Sequence, residues 1–279
     1  MQFLALPPCE AVLPVSRSSA SRQLTANRKT ANLAAMKIPS LLALLTTACI
    51  ATVPLLAESP PEPFQLVGTE AWAEIGAWSL ADQIEGSTQE MKWKSIKPGK
   101  SILFNGQEGK TLNLTSRENH GDAEIEVEFM IPKSSNSGIY LMSRYEIQIL
   151  DSYGKADDAI SVHDCGAIYE RWDESKPNGQ QGFEGTPPAT NACSAPGTWQ
   201  TFKILFRAPR FDADGKKVEN ARFIRVEHNG VVIHEDVEVT GPTRGGANGP
   251  EVSSAPLIVQ GDHGPVAFRK FLVRPTKFE

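Results

Sequence analysis

The sequence predicts an all-β protein built as a sandwich of two antiparallel sheets. Three observations support this. Short apolar runs are separated by turn signals, no segment has the periodicity of a convincing amphipathic helix, and Asn229-Gly230 joins two β-branched runs. An Asn-Gly pair favours the type I′ turn of a tight hairpin, because both turn residues adopt positive φ. Many short strands within about 215 residues indicate one sandwich domain rather than two.

Residues 1–57 are predicted to be a leader and a signal peptide. Met36 and Lys37 form a short basic start, and an apolar run from 38 to 56 follows before Ala57. This order is typical of a secretory signal cleaved near Ala57. A transmembrane anchor is the alternative, although the run is short and interrupted by prolines. We therefore expect export to the periplasm or the extracellular space, with Met36 as a candidate true start.

The cysteines carry two further predictions. Cys49 lies in the apolar run, but the residues before it make a poor lipidation motif, so a lipoprotein is the less favoured alternative. Signal cleavage would leave only Cys165 and Cys193. In an exported domain they predict one disulfide, which would close a loop of about 30 residues and stabilise the fold by about 3 kcal/mol. Two free buried thiols are the alternative.

Residues 58–63 are rich in proline and predict a linker, so the sandwich is expected over residues 64–279. Two polar segments, Asp173–Gly197 and Thr240–Ser254, are too long for simple turns and are predicted to wall a cleft. The predicted strands are short runs rich in β-branched and aromatic residues. They are Ile102–Phe104, Thr111–Leu114, Ala123–Ile131, Gly138–Met142, Tyr145–Leu150, Gly166–Tyr169, Thr201–Ala208, Ala221–His228, Val231–Val239, Leu257–Gln260 and Ala267–Arg274.

Charge and motif content narrow the function. A net charge of −5 without a basic run argues against a nucleic-acid partner. There is no P-loop, no GxGxxG and no Cys/His metal spacing. No cofactor is predicted, although Asp157, Asp158, Asp164 and Glu170 offer oxygen ligands for a structural divalent cation.

The most informative stretch runs from 129 to 152. Its centre alternates, so that Arg144, Glu146 and Gln148 share one face of a strand. Ordinary half-buried strands usually expose a looser mixture of Lys, Thr and Ser. An Arg, a carboxylate and an amide in one row therefore predict a carbohydrate-binding surface. A β-bulge would bring Asp151 onto the same face as a second carboxylate.

These residues suggest catalytic roles. The Arg144 guanidinium is expected to favour the ionised form of Glu146, which suits a base. His263 is the best histidine candidate, since it lies in a glycine-flanked turn just ahead of a predicted strand. Glu146, Asp151 and His263 are thus the predicted catalytic residues, and Arg269 is expected to reach the same sheet edge.

Eight sequence blocks in order resemble the bacterial 3-keto-disaccharide hydrolase domain family, over roughly Gly121 to Pro275. They include Asn136-Ser-Gly-Ile-Tyr140, Tyr145-Glu-Ile-Gln-Ile-Leu-Asp-Ser152, Cys165-Gly-Ala-Ile-Tyr169, Pro196-Gly-Thr-Trp199, Ala208-Pro-Arg-Phe211, Asn229-Gly230, Gly241-Pro-Thr243 and Asp262-His-Gly264 with Phe268-Arg269. The resemblance implies a concanavalin A-like jelly-roll sandwich, exported and acting on glycans or oxidised glycosides. The predicted substrate-binding residues are Arg144, Gln148, Asn136, Tyr140, Tyr169 and Arg269. Relatives often carry Arg-Gly where this chain has Met142-Ser143.

Three functions remain open at this level. The first is cleavage of a 3-keto glycoside, in which a base removes the proton at C2, the C1 substituent departs and water adds back. The second is a non-catalytic lectin-like module using exposed aromatics such as Trp172 and Trp199. The third is a retaining β-glucanase, which would need the carboxyls of Glu146 and Asp151 about 5–5.5 Å apart.

Overall fold

The computed structural model describes residues 62–278. The predicted signal peptide, Cys49 and most of the linker lie outside the described residues. Within them, no helix is long and apolar enough to cross a membrane. The described elements are two 3₁₀ turns, Thr69–Ala71 and Asp157–Ala159, and β1 (Phe64–Gln65), β2 (Ser79–Gly86), β3 (Trp93–Phe104), β4 (Leu114–His120), β5 (Ala123–Met130), β6 (Asn136–Leu141), β7 (Tyr145–Leu150), β8 (Arg171–Trp172), β9 (Gly182–Phe183), β10 (Gln200–Arg207), β11 (Arg210–Phe211), β12 (Lys217–Glu219), β13 (Ala221–His228), β14 (Val231–Val239), β15 (Ala255–Val259) and β16 (Ala267–Pro275).

Twelve of the sixteen described strands form two antiparallel sheets, which confirms the predicted all-β jelly-roll sandwich, while β8–β9 and β11–β12 are separate two-stranded ribbons. The larger sheet has the order β14-β13-β10-β5-β16-β3-β2, with β1 beside β16, and the smaller has the order β4-β15-β6-β7. Their inner faces share one apolar core. Tyr145 of the small sheet meets Phe206 of the large sheet with ring centroids 5.5 Å apart. Because side chains alternate along β7, inward Tyr145 and Ile147 leave Glu146 on the outer face.

The strand predictions are accurate for β7, β13 and β14 and poor at the β2 edge of the large sheet. Tyr145–Leu150, Ala221–His228 and Val231–Val239 are strands with those bounds. β2 was not predicted and β3 was predicted only at its end, because Pro98 and Gly99 interrupt its pattern. The pairing of β2 with β3 shifts register near these residues. β3 pairs with β16 only through Leu103 and Phe104, so Pro98 has no strand partner on that side and its missing N–H leaves no ladder bond unmade there. The predicted strand Gly166–Tyr169 is only a pair of bridges through Ile168.

The predicted disulfide is not present, because Cys165 and Cys193 are free thiols. The backbone does bring them into contact. Burial and the contact with Cys193 raise the pKa of the Cys165 thiol, whereas the same contact lowers the pKa of Cys193. The Cys193 thiol also donates to the carbonyl oxygen of Leu150 at 3.7 Å. Hydrogen bonds therefore hold this loop in place of a covalent link.

Candidate active site

A cavity of about 270 Å³ opens on the outer face of the small sheet. Strands β6 and β7, two long loops and the turn after β15 all contribute to it. Its walls are formed by Asn136, Tyr140, Glu146, Tyr169, Arg244, Gly245, Gln260 and His263. Five of these eight residues were predicted from the sequence: Asn136, Tyr140, Glu146, Tyr169 and His263. Arg244, Gly245 and Gln260 were not predicted.

The backbone of β7 fixes the middle of the cavity. Glu146 lies directly opposite Tyr140 in the β6–β7 pairing, so their side chains share a face. The Glu146 N–H donates to the Thr243 hydroxyl at 3.1 Å. The Tyr169 N–H donates to the Glu146 carbonyl at 3.1 Å. The free edge of β7 thus holds both long loops against Glu146.

Arg144 attaches the 240–254 loop to the strand. Its carbonyl accepts from the Thr243 N–H and hydroxyl, both at 2.9 Å, and its guanidinium donates to the carbonyl of Pro250 at 2.9 Å. These bonds place Arg244 beside Tyr169, because Arg244 is the next residue after Thr243. The Arg144 guanidinium is bonded to the carbonyls of Met142 and Pro250 and does not line the cavity. The pKa of Glu146 is raised, contrary to the prediction that Arg144 favours its ionised form.

Glu146 is the carboxyl of the cavity and is only 3% exposed. Burial raises its pKa to about 8, and a hydrogen bond from the Tyr140 hydroxyl offsets only part of that rise. The chain makes room for the carboxyl by placing glycine opposite it. A Cβ atom at Gly138 would lie 2.0 Å from the Glu146 Oε1. Glu146 is therefore mostly protonated at neutral pH, contrary to the prediction of an ionised base.

One end of the cavity carries two side-chain amide oxygens that accept no hydrogen bond from the protein. The Asn136 Oδ1 and Gln260 Oε1 are buried without a hydrogen-bond partner. The Gln260 N–H donates to the Gly138 carbonyl at 2.9 Å, which places this residue beside β6. His263 lies next to them, with its Nδ1 2.6 Å from the Asp262 Oδ1. Both amide oxygens are free to accept hydrogen bonds from the hydroxyl or N–H groups of a ligand.

The other end is formed by Tyr169 and Arg244. Burial and the negative charge of Glu146 raise the pKa of the Tyr169 phenol, so it stays protonated. The Arg244 guanidinium lies over the Trp172 ring, 3.6 Å from its centroid. The sequence signal for Arg244 was its position after Gly241-Pro-Thr243 in a long loop predicted to wall the cleft.

Asp151 is not in the cavity. The β6–β7 pairing runs from Asn136↔Leu150 to Leu141↔Tyr145 without a bulge, so Asp151 follows the strand on the opposite face from Glu146. Its carboxylate pairs with Lys133 at 2.9 Å and accepts from the Ser134 N–H at 2.8 Å. The predicted second catalytic carboxylate is therefore a structural residue that holds the turn before β6.

Two predicted binding residues also lie elsewhere. Gln148 lies on the same face of β7 as Glu146 but is buried, and its side-chain amide donates to the carbonyl of His163 at 3.4 Å. Arg269 lies on the outer face of the large sheet, where it pairs with Glu128 and stacks over Trp199 at 4.6 Å. Neither side chain lines the cavity, because side-chain alternation does not show which loop or sheet covers a face.

Three of the four acidic residues considered for a cation, Asp157, Asp164 and Glu170, are bonded within the protein. Asp164 accepts from Lys155 at 2.6 Å and from the Ser152 hydroxyl at 2.9 Å. Asp157 accepts from the Asn191 N–H at 2.7 Å, and Glu170 lies 3.1 Å from His163. Across residues 62–278, no three His, Cys, Asp or Glu side chains are grouped to hold a metal ion.

The family model of the 3-keto-alpha-glucoside-1,2-lyase-like domain matches residues 69–274, and the chain belongs to this family of carbohydrate-active domains. The resemblance deduced from the sequence blocks is confirmed. No curated protein sequence matches the chain.

The chain is also similar to several solved structures at low identity. A protein of Parabacteroides distasonis ATCC 8503, provisionally assigned as a glycosyl hydrolase, is 23% identical, with a TM-score of 0.46 and coverage of 79% of this chain and 93% of that one. The endo-β-1,4-glucuronan lyase of the fungus Trichoderma reesei is 11% identical, with a TM-score of 0.38 and coverage of 78% and 96%. The alginate lyase vAL-1 of Chlorella virus is 12% identical, with a TM-score of 0.36 and coverage of 74% and 94%.

Proposed function

We propose that this family member cleaves the glycosidic bond of a 3-keto glycoside by elimination, with Glu146 as the base. The observation that carries the proposal is a single buried carboxyl with a pKa of about 8 inside a polar cavity. A general base is most effective when its pKa lies near the working pH. We also infer that the enzyme acts outside the cytoplasm, on the strength of the apolar run that precedes residue 57.

The ketone makes this chemistry feasible, because it acidifies the proton at C2. The Glu146 carboxylate takes that proton, and the C–H electron pair forms an enolate across C2 and C3. Collapse of the enolate forms the C1=C2 double bond and breaks the bond from C1 to the leaving oxygen. Water then adds at C1. With a pKa of about 8, roughly one Glu146 in ten is ionised at pH 7, and the ionised form is a stronger base than an ordinary glutamate.

The order of residues along the cavity fits the order of atoms in the sugar. Tyr169 and Arg244 line both this cavity and a neighbouring one, so they lie at the end where the two cavities meet. His263 lines only this cavity and lies at its other end. Glu146 lies between them. This order suits C1 beside Tyr169 and the C3 ketone beside His263, with C2 over Glu146. Tyr169 then protonates the departing oxygen, and the His263 N–H stabilises the enolate oxygen.

The test compares a methyl 3-keto-α-glucoside with methyl α-glucoside in deuterated buffer, followed by mass spectrometry and ultraviolet absorbance. We expect cleavage of the keto compound alone, a transient conjugated enone and deuterium at C2. Equal cleavage of both glycosides would overturn the proposal.

A second candidate is a lectin-like module, favoured by Tyr169 and Trp172 beside the cavity. In that case both glycosides bind and neither turns over. Substitution of Glu146 by Gln would then change affinity only by the worth of one charge-assisted hydrogen bond, about 1.5–3 kcal/mol. A retaining glucanase is not supported, because Asp151 is absent from the cavity.

A further inference from the structure

Arg244 lines the candidate active site, yet the proposed elimination gives it no role. Of the eight described residues that form the cavity walls, it alone is a lysine or an arginine. A fixed positive charge lowers an activation barrier most where negative charge develops during the reaction. The contacts that hold Arg244 therefore indicate which reacting group it serves.

Contacts within the protein hold Arg244 at one end of the cavity. Its N–H donates to the carbonyl of Glu170 at 2.8 Å, and the preceding Thr243 is hydrogen-bonded to β7. Its guanidinium covers the Trp172 ring, 3.6 Å from the ring centroid. Because Glu170 directly follows Tyr169, the bond to the Glu170 carbonyl brings Arg244 close to Tyr169.

The Tyr169 phenol has charges of both signs around it. Burial and the negative charges of Glu146 and Glu170 raise its pKa, whereas the charge of Arg244 and a hydrogen bond from its guanidinium oppose that rise. The His163 ring packs against the phenol with centroids 5.2 Å apart, and its Nε2 lies 3.1 Å from the Glu170 carboxyl. A guanidinium can only donate, so its bond to the phenol oxygen leaves the phenol proton free for an acceptor in the cavity.

The proposed elimination moves one negative charge across the cavity. The charge starts on the Glu146 carboxylate, which takes the C2 proton and becomes neutral. When the C1–O bond breaks, its electron pair goes to the leaving oxygen, and that oxygen takes the Tyr169 proton. The charge then lies on the Tyr169 phenolate. Water that adds at C1 gives a proton back to the phenolate, and Glu146 returns its proton to C2.

We propose that Arg244 is a positioning residue that orients the Tyr169 hydroxyl as the proton donor and stabilises the Tyr169 phenolate while the leaving group departs. The inference rests on the proposed function, because it takes Tyr169 as the acid. Neutralisation of Glu146 removes one of the negative charges that keep the phenol protonated. Proton uptake by Glu146 thus favours proton release by Tyr169, and Arg244 lies where the charge arrives.

The first test varies the leaving group. Methyl 3-keto-α-glucoside releases an alkoxide that needs a proton, whereas 4-nitrophenyl 3-keto-α-glucoside releases a stable phenolate that does not. For Arg244→Met we expect kcat/KM to fall about 100-fold on the methyl substrate, the size of a lost general acid, and less than about fivefold on the nitrophenyl substrate. Arg269→Met is the matched control, since Arg269 also lies over a tryptophan but on the other sheet, and both rates should stay within about twofold. Equal losses on the two substrates, or no loss on either, would overturn the inference.

A second test measures the phenol directly and needs no turnover. The four tyrosines are replaced by 3-fluorotyrosine, which ionises at lower pH, and each is followed by ¹⁹F NMR, with Tyr169→Phe to assign the Tyr169 signal. Arg244→Met should move the Tyr169 titration midpoint upward by about 1 pH unit, and Arg269→Met should leave it in place. An unchanged midpoint in Arg244→Met would overturn the inference even if the wild type cleaved both glycosides. A raised midpoint in a protein that cleaves neither would support the contact between Arg244 and Tyr169 and overturn the proposed function alone.

Discussion

Strands β5 and β7 carry carboxylates in the same alternating pattern but in opposite environments. On β5, Glu126 and Glu128 lie on the outer face of the large sheet and pair with Lys270 and Arg269, which lower the pKa values of both carboxyls. On β7, Glu146 is covered by two loops and has no cation among the groups that shift its pKa to about 8. The comparison teaches that the loops over a strand, rather than the alternation within it, raise the pKa of a carboxyl.

The largest effect should come from exchanging each carboxyl for its amide. E146Q should lower kcat on a 3-keto glycoside by about 100-fold or more, because the amide keeps the shape but cannot accept the C2 proton. E126Q is the control and should leave kcat within twofold. Circular dichroism checks that both variants are folded. A fully active E146Q would remove the base role from this residue.

Glu146 and Glu126 should also make the free energy of unfolding depend on pH in opposite directions. Glu146 has a folded pKa above its unfolded value, so its contribution is complete below about pH 4.5 and is lost as pH rises towards 8, by up to about 1.4 kcal/mol per unit. Glu126 has a lowered pKa, so its contribution is present above the unfolded pKa and is lost as pH falls below it.

Urea unfolding of the wild type, E146Q and E126Q between pH 4 and pH 9 measures both dependences. The wild-type advantage over E146Q should shrink as pH rises, and its advantage over E126Q should shrink as pH falls. Parallel curves for wild type and E146Q would show that Glu146 titrates normally.

Gly138→Ala should lower activity less than E146Q does, because it displaces the Glu146 carboxyl without removing it. The new methyl group would meet Oε1 at 2.0 Å, and the flexible carboxyl can move where the backbone cannot. We expect kcat/KM to fall about tenfold through misplacement of the base, with little change in Tm. In an E146Q background the same substitution should cost nothing further in turnover. An additive loss would assign Gly138 a separate role.

The smallest effect should come from Arg269→Ala. The substitution removes one exposed ion pair with Glu128 and the stack on Trp199. The free energy of unfolding should therefore change by about 1 kcal/mol or less. Turnover should stay within twofold, since the residue lies on the other sheet from the cavity. A large loss of activity would restore the sequence-based prediction that Arg269 reaches the site.

The sequence predicted the sandwich and half of the site for identifiable physical reasons. Alternation placed Glu146 on an outer face, and glycine-flanked His263 was correctly predicted beside it. The same alternation does not show which loops cover the outer face. It therefore predicts Arg144 and Gln148 as binding residues, although their side chains are hydrogen-bonded to loop carbonyls. Arg244 could not be predicted individually, because its place depends on hydrogen bonds made across the fold by Thr243.

Those bonds set the order in which the molecule assembles. The Glu146 N–H and the Thr243 hydroxyl are 97 positions apart in sequence, and Arg144 reaches Pro250 across 106. Closing such a span costs chain entropy before the contacts form, whereas β6 and β7 are joined by a three-residue turn. We therefore expect the hairpin to form early on refolding and the 240–254 loop to dock late. Sugar binding should return after the tryptophan fluorescence of the sandwich has already recovered.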